Sequence, residues 1–175
     1  MRKVTYGAAC SLDGYIARED GSVDWLNWSP GVERLTTAYW AGVDTVLMGR
    51  NTYEVAKASG TGAYPGVTNY VFSRTWTADP EPNVSLVRED AAKFVGRLKD
   101  EPGRGICLMG GGQLAHTLLE AGLVDEVGVN IQPIILGSGI PFFHRMPRTT
   151  DLDFVQLEQI EGGCVYLLYR VRRWP

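Results

Sequence analysis

The sequence predicts an α/β fold: a mainly parallel central sheet with helices on both faces and an antiparallel hairpin at the C-terminus. Two observations support this prediction. Through most of the chain, short apolar segments rich in Val, Ile and Leu alternate with segments of helical spacing, as in parallel strands joined by helices. Near the C-terminus, Gly162-Gly163 separates two strand-like segments and marks a hairpin turn.

Each element follows from its local pattern. Runs of β-branched and apolar residues predict strands over residues 4–10, 43–48, 69–73, 84–87, 105–109, 126–135, 154–160 and 165–172. Apolar residues at helical spacing predict helices over residues 30–41, 50–57, 91–98 and 113–121. Ser29 and Pro30 supply a cap and a first turn for the first of these helices, and Gly122 ends the last.

Length and composition indicate one globular domain over residues 1–175. The chain is 45% hydrophobic and 21% charged, and its net charge of −3 gives no general attraction to nucleic acid or anionic membrane. No apolar run approaches the roughly 18 residues of a membrane span. Cys10, Cys107 and Cys164 lack metal-site spacing and lie among apolar neighbours. We therefore expect buried free thiols, a cytoplasmic location, and no metal, membrane or nucleic-acid partner.

Three glycines directly follow one predicted strand and precede a helix. Gly110-Gly111-Gly112 lies between the strand that ends at Met109 and the helix that starts at Gln113. Glycine lets the backbone approach a phosphate, and a helix start offers free N–H groups and a positive dipole end. The same pattern is typical of a tight strand–helix turn without a ligand, so by itself it leaves both interpretations open.

Two further strand ends carry residues that suit a phosphate. Gly49-Arg50-Asn51-Thr52 follows the second strand, and its arginine opposes the helix dipole, which indicates a purpose other than helix stability. Ser73-Arg74 follows the third strand and offers a hydroxyl beside a guanidinium. Solvent-exposed arginines would give the same pattern. In open α/β sheets, ligands bind beyond the carboxyl ends of strands, and arginines without a ribose-binding acid favour NADPH over NADH.

Four motifs in chain order resemble the dihydrofolate-reductase-like superfamily: Ser11-Leu12-Asp13-Gly14, Met48-Gly49-Arg50-x-Thr52, Ser73-Arg74 and Gly110-Gly111-Gly112. The segment 123–139 is similar to the reductase domain of the riboflavin-pathway bifunctional deaminase–reductase and its stand-alone relatives. The resemblance spans Val4 to about Arg172 and implies the three-layer fold of that superfamily. It also implies NADPH-dependent hydride transfer to a small nitrogen heterocycle, such as 5-amino-6-(5-phosphoribosylamino)uracil.

The resemblance implies roles for individual residues. Gly49, Arg50 and Thr52 would contact the NADPH phosphates. Ser73 and Arg74 would contact the adenosine 2′-phosphate. The pyrophosphate cradle and the nicotinamide surroundings would comprise Ile16, Ala17, Gly110, Gly111, Gly112, Gln113 and Leu114.

Two carboxylates are the candidate catalytic residues. Asp13 would lie near the substrate end of the cleft by the same resemblance, and Glu33 sits early in the first helix. Either would deliver a proton to the substrate, directly or through water. Turn capping by Asp13 and dipole stabilisation by Glu33 are the alternative roles.

Several alternatives stay open. The riboflavin-pathway enzyme has a basic residue where this chain has Tyr15, which counts against that phosphorylated substrate. A dihydrofolate reductase in the strict sense, or a non-catalytic NADPH-binding module, would need the same cofactor residues. The segment Gly21–Ser29, with Trp25 and Trp28, either folds over the cleft or anchors the core. The resemblance implies a homodimer, for which the apolar run Val127–Leu136 would supply an interface strand.

Overall fold

The computed structural model describes residues 1–144, 146 and 148–172. The strands are β1 (Val4–Ser11), β2 (Tyr15–Ala17), β3 (Val43–Gly49), β4 (Thr68–Phe72), β5 (Val84–Val87), β6 (Gly105–Gly110), β7 (Glu126–Gln132), β8 (Ile140–Pro141), β9 (Leu152–Gln159) and β10 (Val165–Val171). The helices are α1 (Pro30–Ala41), α2 (Arg50–Ala58), α3 (Ala91–Asp100) and α4 (Gly112–Glu120).

Eight of these strands form one sheet in the order β5-β4-β3-β6-β1-β7-β10-β9. The neighbours from β5 to β7 pair in parallel, whereas β10 pairs antiparallel with both β7 and β9. Gly162 and Gly163, both at a φ of 81°, form the tight turn between β9 and β10. The predicted parallel sheet with an antiparallel C-terminal hairpin is therefore confirmed.

The structure differs from the sequence prediction at two places near the carboxyl ends of the strands. β7 ends at Gln132 rather than at Ile135, because Pro133 lacks the N–H that a further ladder bond needs. β2 pairs with β8 in a separate two-stranded sheet, which the sequence analysis did not predict. Both strands are shorter than the run of about four residues from which a strand is recognised in a sequence.

Helices cover both faces of the large sheet, as predicted. α3 and α4 pack on one face, where Leu108 and Leu118 are fully buried in the main core. α1 and α2 pack on the other face, where Tyr39 and Tyr53 join a second cluster around Met48. In the described part of the chain, no helix combines the length and apolar character that crossing a bilayer requires.

All three cysteines are buried and free, as predicted. Burial and the nearby Asp13 carboxylate raise the pKa of Cys10 to about 11. Burial also raises the pKa of Cys107 to about 11. Both thiols therefore stay protonated at neutral pH, and protonated thiols are poor nucleophiles.

A buried ion pair joins α3 to the sheet at the amino-terminal ends of its strands. The Lys99 side chain is 1% exposed, and its Nζ donates to the Asp125 carboxylate and, at 2.9 Å, to the backbone carbonyl of Leu123. Asp125 Oδ2 also accepts the backbone N–H of Val4 at 2.8 Å. One carboxylate thus links the end of α3 to the starts of β1 and β7.

Candidate functional site

The two glycine turns singled out in the sequence meet at the carboxyl ends of β3 and β6, which are neighbours in the sheet. A β-carbon placed on Gly111 would lie 3.1 Å from Cα of Gly49, and one placed on Gly49 would lie 3.3 Å from Cα of Gly111. Gly110 and Gly111 also have φ values of 138° and 92°, which side chains strongly disfavour. The backbones of the two turns therefore pack directly on each other.

Two helices begin at these turns, and neither has a side-chain cap. α2 starts after Gly49 and α4 after Gly111, so the first N–H groups of both helices lack a capping oxygen. Thr52 Oγ1 lies 3.5 Å from the position that a β-carbon on Gly111 would take, so its hydroxyl lies at the same junction. Two positive helix ends and a hydroxyl in one place suit an anion such as a pyrophosphate.

Arg50 connects this junction to the carboxyl end of β4. Its Nη1 donates to Thr75 Oγ1 at 3.1 Å, and its Nε lies 3.8 Å from the Glu54 carboxylate. The buried Ser73 hydroxyl lies 3.3 Å from Thr75 Oγ1 and accepts the backbone N–H of Trp76 at 3.3 Å. The structure thus brings Arg50, Ser73 and Thr75 together, and Thr75 was not singled out from the sequence.

Arg74 lies beside this cluster in the chain but forms no hydrogen bond with it among the described residues. Its side chain is exposed, and it has no hydrogen bond or ion pair among the described residues. A guanidinium without a protein partner remains available to an anionic ligand.

Asp13 connects the turn after β1 to the loop after β7 through hydrogen bonds. Its carboxylate accepts the backbone N–H groups of Leu136 at 3.1 Å and Gly137 at 2.8 Å. A hydrogen bond with the Ser11 side chain, together with these two N–H groups, holds the pKa of Asp13 below its usual range. Asp13 is therefore ionised at neutral pH, and the geometry favours a structural role over that of a proton donor.

Glu33 lies in the first turn of α1, and its side chain is exposed. The Ser29 hydroxyl caps this helix, accepting the N–H of Val32 at 3.3 Å and donating to the Glu161 carbonyl at 3.2 Å. The start of α1 therefore lies beside the β9–β10 turn. In the part of the chain that the structure describes, no hydrogen bond or ion pair joins Glu33 to Asp13 or to the glycine turns.

The predicted nicotinamide-side residues divide into buried and exposed positions. Ala17 is buried in β2, where it pairs with Ile140 of β8. Ile16 packs against the main core, which includes the buried Leu114 of α4. Gln113, one residue earlier in α4, is exposed. The small β2–β8 sheet and α4 therefore contribute to the same core.

His144 is a site residue that the sequence analysis did not assign. A β-carbon placed on Gly112 would lie 1.5 Å from Cδ2 of the His144 ring, so the imidazole rests directly on the first turn of α4. Phe142, two residues before His144, stacks on Tyr6 with ring centroids 4.4 Å apart and fixes the segment there. No local sequence signal distinguishes this histidine, because its partner is 32 residues away in the chain.

Two other kinds of site find no support among the described residues. No group of three or more His, Cys, Asp or Glu side chains among them is arranged to hold a metal ion. A cavity of about 720 Å³ opens at the opposite, amino-terminal edge of the sheet, where Arg2 is already bonded to Asp44, Thr45 and the carbonyl of Arg104. The glycine junction is therefore the best-supported ligand site.

Comparison with known proteins gives one family. The model of the RibD C-terminal domain matches residues 2–166. The uncharacterized protein YwjB of Bacillus subtilis (strain 168) is 37% identical over 170 residues, covering 96% of this chain and 97% of that protein.

Two solved structures show the same architecture. A protein of Shewanella sp. PV-4, provisionally described as a riboflavin biosynthesis protein, superposes with a TM-score of 0.86 at 26% identity, covering 98% of this chain and 99% of that one. The dihydrofolate reductase of Enterococcus faecalis, solved with NADP(H) and RAB-propyl, superposes with a TM-score of 0.68 at 18% identity, covering 98% and 97%. The fold is that of the dihydrofolate-reductase-like proteins.

Proposed function

Because the chain belongs to the RibD C-terminal domain family, a family of reductases, we propose that it is an NADPH-dependent reductase that transfers a hydride to a small nitrogen heterocycle. The observation that carries the proposal is the junction of two uncapped helix N-termini at the packed glycines Gly49 and Gly111. The Enterococcus faecalis reductase of the same fold was solved with NADP(H). We further propose a cytoplasmic location, in keeping with three free thiols.

The residues present fit the cofactor. The N-termini of α2 and α4, with the Thr52 hydroxyl, would hold the pyrophosphate where a side chain at Gly111 would fill the cradle. Ser73, Arg74 and Arg50 would hold the 2′-phosphate that separates NADPH from NADH. When bound, NADPH supplies the hydride, and the protein supplies binding, orientation and water exclusion.

A carboxylate of the chain would supply the proton that the substrate needs. Asp13 holds the loop at residues 136–137 against the end of β1, and would so orient the β2–β8 sheet beside the reacting groups. Its lowered pKa makes it a poor acid near neutral pH. Glu33 is the remaining candidate to hold a proton for the substrate. Trp28 is 63% exposed, which is compatible with a residue that closes over a bound ligand.

The family supports a proposal for the substrate class. We propose a flat heterocycle of the aminopyrimidine kind, with 5-amino-6-(5-phosphoribosylamino)uracil as the reference compound. Tyr15, half-buried at the start of β2, replaces the basic residue expected beside a substrate phosphate. Dihydrofolate turnover would indicate a dihydrofolate reductase in the strict sense. Cofactor binding without reduction of any heterocycle would indicate a non-catalytic module.

Cofactor binding tests this proposal first. We expect NADPH to bind at least tenfold more tightly than NADH in a fluorescence titration. Arg50→Ala and Arg74→Ala should each weaken NADPH binding by about 10-fold to 100-fold, the equivalent of a hydrogen bond to a charged group. Neither should weaken NADH binding comparably, because NADH lacks the 2′-phosphate.

Arg97→Ala is the matched control. Arg97 is an exposed arginine on α3 paired with Glu89, so NADPH affinity should not change. Equal affinity for the two nucleotides, or no binding of either by a folded protein, would contradict the proposed cofactor.

We also propose that the protein is a homodimer through the outer face of the C-terminal hairpin. Phe154 and Leu157 of β9 are 62% and 59% exposed. They pair in register with Tyr169 and Leu167 of β10, so all four side chains form one apolar stripe. β7 itself is paired on both sides, so its contribution would come from this face and not from a free edge.

Leu157→Glu should convert the dimer to monomer at micromolar concentration, because it buries a charge in the stripe. Light scattering or sedimentation would measure the mass. Gln156→Glu, on the neighbouring residue of the same strand, should leave the dimer intact. A wild-type monomer at these concentrations would end the proposal.

A further inference from the structure

Asn130 on β7 carries a buried polar atom that the described residues do not satisfy. The residue is 9% exposed, and its Oδ1 is fully buried without a hydrogen-bond partner among the described residues. Its Nδ2 has none either, so exchanging the two amide atoms would not remove the problem. An unpaired buried amide costs about 1–3 kcal/mol, and such groups are rare in native proteins.

The Asn130 side chain lies on the α1 face of the sheet. It pairs in register with Ala9 of β1 and Tyr166 of β10, and directly paired residues share a face. Tyr166 packs against a small cluster that includes Val32 of α1. Asn130 therefore points into the layer between the sheet and α1.

The floor of this layer is made of small residues. Gly7 and Ala9 of β1 share the Asn130 face, since residues two apart in a strand point the same way. A central strand covered on both faces is ordinarily buried, yet Gly7 and Ala9 are both partly exposed. Accessible surface therefore lies next to Asn130, and a rotation of its side chain about χ1 would bring the enclosed Oδ1 to a flat molecule there.

Gln132, two residues further along β7, differs from Asn130 because its side-chain oxygen has hydrogen-bond partners. Its Oε1 accepts the backbone N–H of Asn27 at 3.0 Å and the Cys164 thiol at 3.3 Å. Trp25, two residues before Asn27, has a buried indole Nε1 that also lacks a partner among the described residues. The segment that covers β7 thus holds an unused donor, and β7 itself holds an unused amide.

Asn130 lies near the glycine junction without belonging to it. β1 separates β7 from β6, so Asn130 and the end of β6 are two strand spacings apart, about 10 Å. Tyr6 of β1 pairs with Leu108, and Ala9 pairs with Asn130, so the amide is level with the first residues after β6. A ligand at Asn130 would therefore sit beside a cofactor bound at the junction.

We propose that Asn130 is a specificity residue that binds the lactam edge of the heterocyclic substrate, an N–H adjacent to a ring carbonyl. After the χ1 rotation, Oδ1 would accept the ring N–H and Nδ2 would donate to the carbonyl, because a primary amide and a cyclic amide are complementary in two parallel hydrogen bonds. This deepens the proposed function and rests on it. The lactam edge is then the part of the ring that the protein recognises.

Two probes test the assignment: 5,6-diaminouracil, which has the lactam N–H, and 5,6-diamino-1,3-dimethyluracil, which lacks it. Binding is measured by calorimetry on protein saturated with NADP⁺ and on protein without nucleotide. We expect wild type to bind the N–H probe at least tenfold more tightly than the methylated one. Asn130→Leu should lose at least tenfold for the N–H probe and should no longer distinguish the two.

Asn130→Asp provides a second variant that keeps an acceptor and removes the donor, and we expect an intermediate loss of at least threefold. Asn83→Leu, on an exposed asparagine at the opposite edge of the sheet, is the control and should bind as wild type. A cooperative urea-unfolding transition like that of wild type shows that each variant is folded.

The outcomes separate this inference from the proposed function. If NADPH binds but wild type and Asn130→Leu bind the two probes equally, or wild type binds neither probe at millimolar concentration, the assignment of Asn130 is wrong and the cofactor proposal stands. If the nucleotide does not bind while the N–H probe still depends on Asn130, the cofactor proposal fails and the lactam site stands.

Discussion

Gly111→Ala is expected to reduce NADPH affinity by about 100-fold, because the altered turn would lose one or two N–H hydrogen bonds to a charged phosphate, each worth about 1.5–3 kcal/mol. Gly111 has a φ of 92° and its added β-carbon would lie 3.1 Å from Cα and 3.2 Å from N of Gly49. Both contacts are with backbone, which has no side-chain rotamer to relieve the overlap. Together with the unfavourable φ of 92°, this overlap would shift the turn by a few tenths of an ångström and misalign the N–H groups at the two helix N-termini.

The matched control is Gly60→Ala. Gly60 has a φ of 82°, but a β-carbon there would meet nothing within 4 Å. Each substitution should lose about 1–2 kcal/mol of stability from the left-handed backbone alone, measured by urea unfolding. Only Gly111→Ala should also reduce NADPH affinity. Equal NADPH affinity in the two variants would mean that the contact between the glycine turns does not shape the site.

Lys99→Met is expected to lower the free energy of unfolding by about 3–5 kcal/mol, the usual cost of removing one partner from a buried ion pair. The methionine would fill a similar volume, so the loss would report the missing ammonium and not a cavity. Asp125 would keep its bond to the Val4 N–H but would lose the Lys99 Nζ. The change lies at the amino-terminal edge of the sheet, so NADPH affinity of the folded fraction should be unchanged.

Lys3→Met is the comparison. Lys3 forms an ion pair with Glu126 at 2.6 Å, but its side chain is 65% exposed. Exposed pairs contribute about 0–1 kcal/mol, so this variant should unfold at nearly the same urea concentration as wild type. A similar loss in both variants would show that burial of Lys99 does not set the strength of its contacts.

The local features of this fold were easier to predict from the sequence than the long-range ones. The strand–glycine–helix junctions at Gly49 and Gly110 were recognisable because each is a short pattern with its own physical reason. That β3 and β6 are neighbours was not, since residues 50–104 separate them and no local signal encodes their pairing.

The site showed the same division. Arg50 and Ser73 were identified from their neighbours in the chain, and the structure brings them to one place through Thr75. Asp13 was a candidate acid in the sequence, but its partners Leu136 and Gly137 are more than 120 residues away and favour a structural role. The unpaired amide of Asn130 could not be predicted either, because an unsatisfied atom is visible only when all of its neighbours are known.

The position of β6 has a consequence for synthesis of the chain on the ribosome. β6 lies between β3 and β1 in the sheet although it follows β5 in the sequence. Until residue 110 has emerged, β1 and β3 have no strand between them, and each presents an unpaired edge to other chains. The nascent chain is therefore open to aggregation through most of its translation, and the nucleotide junction cannot form until β6 has taken its central place.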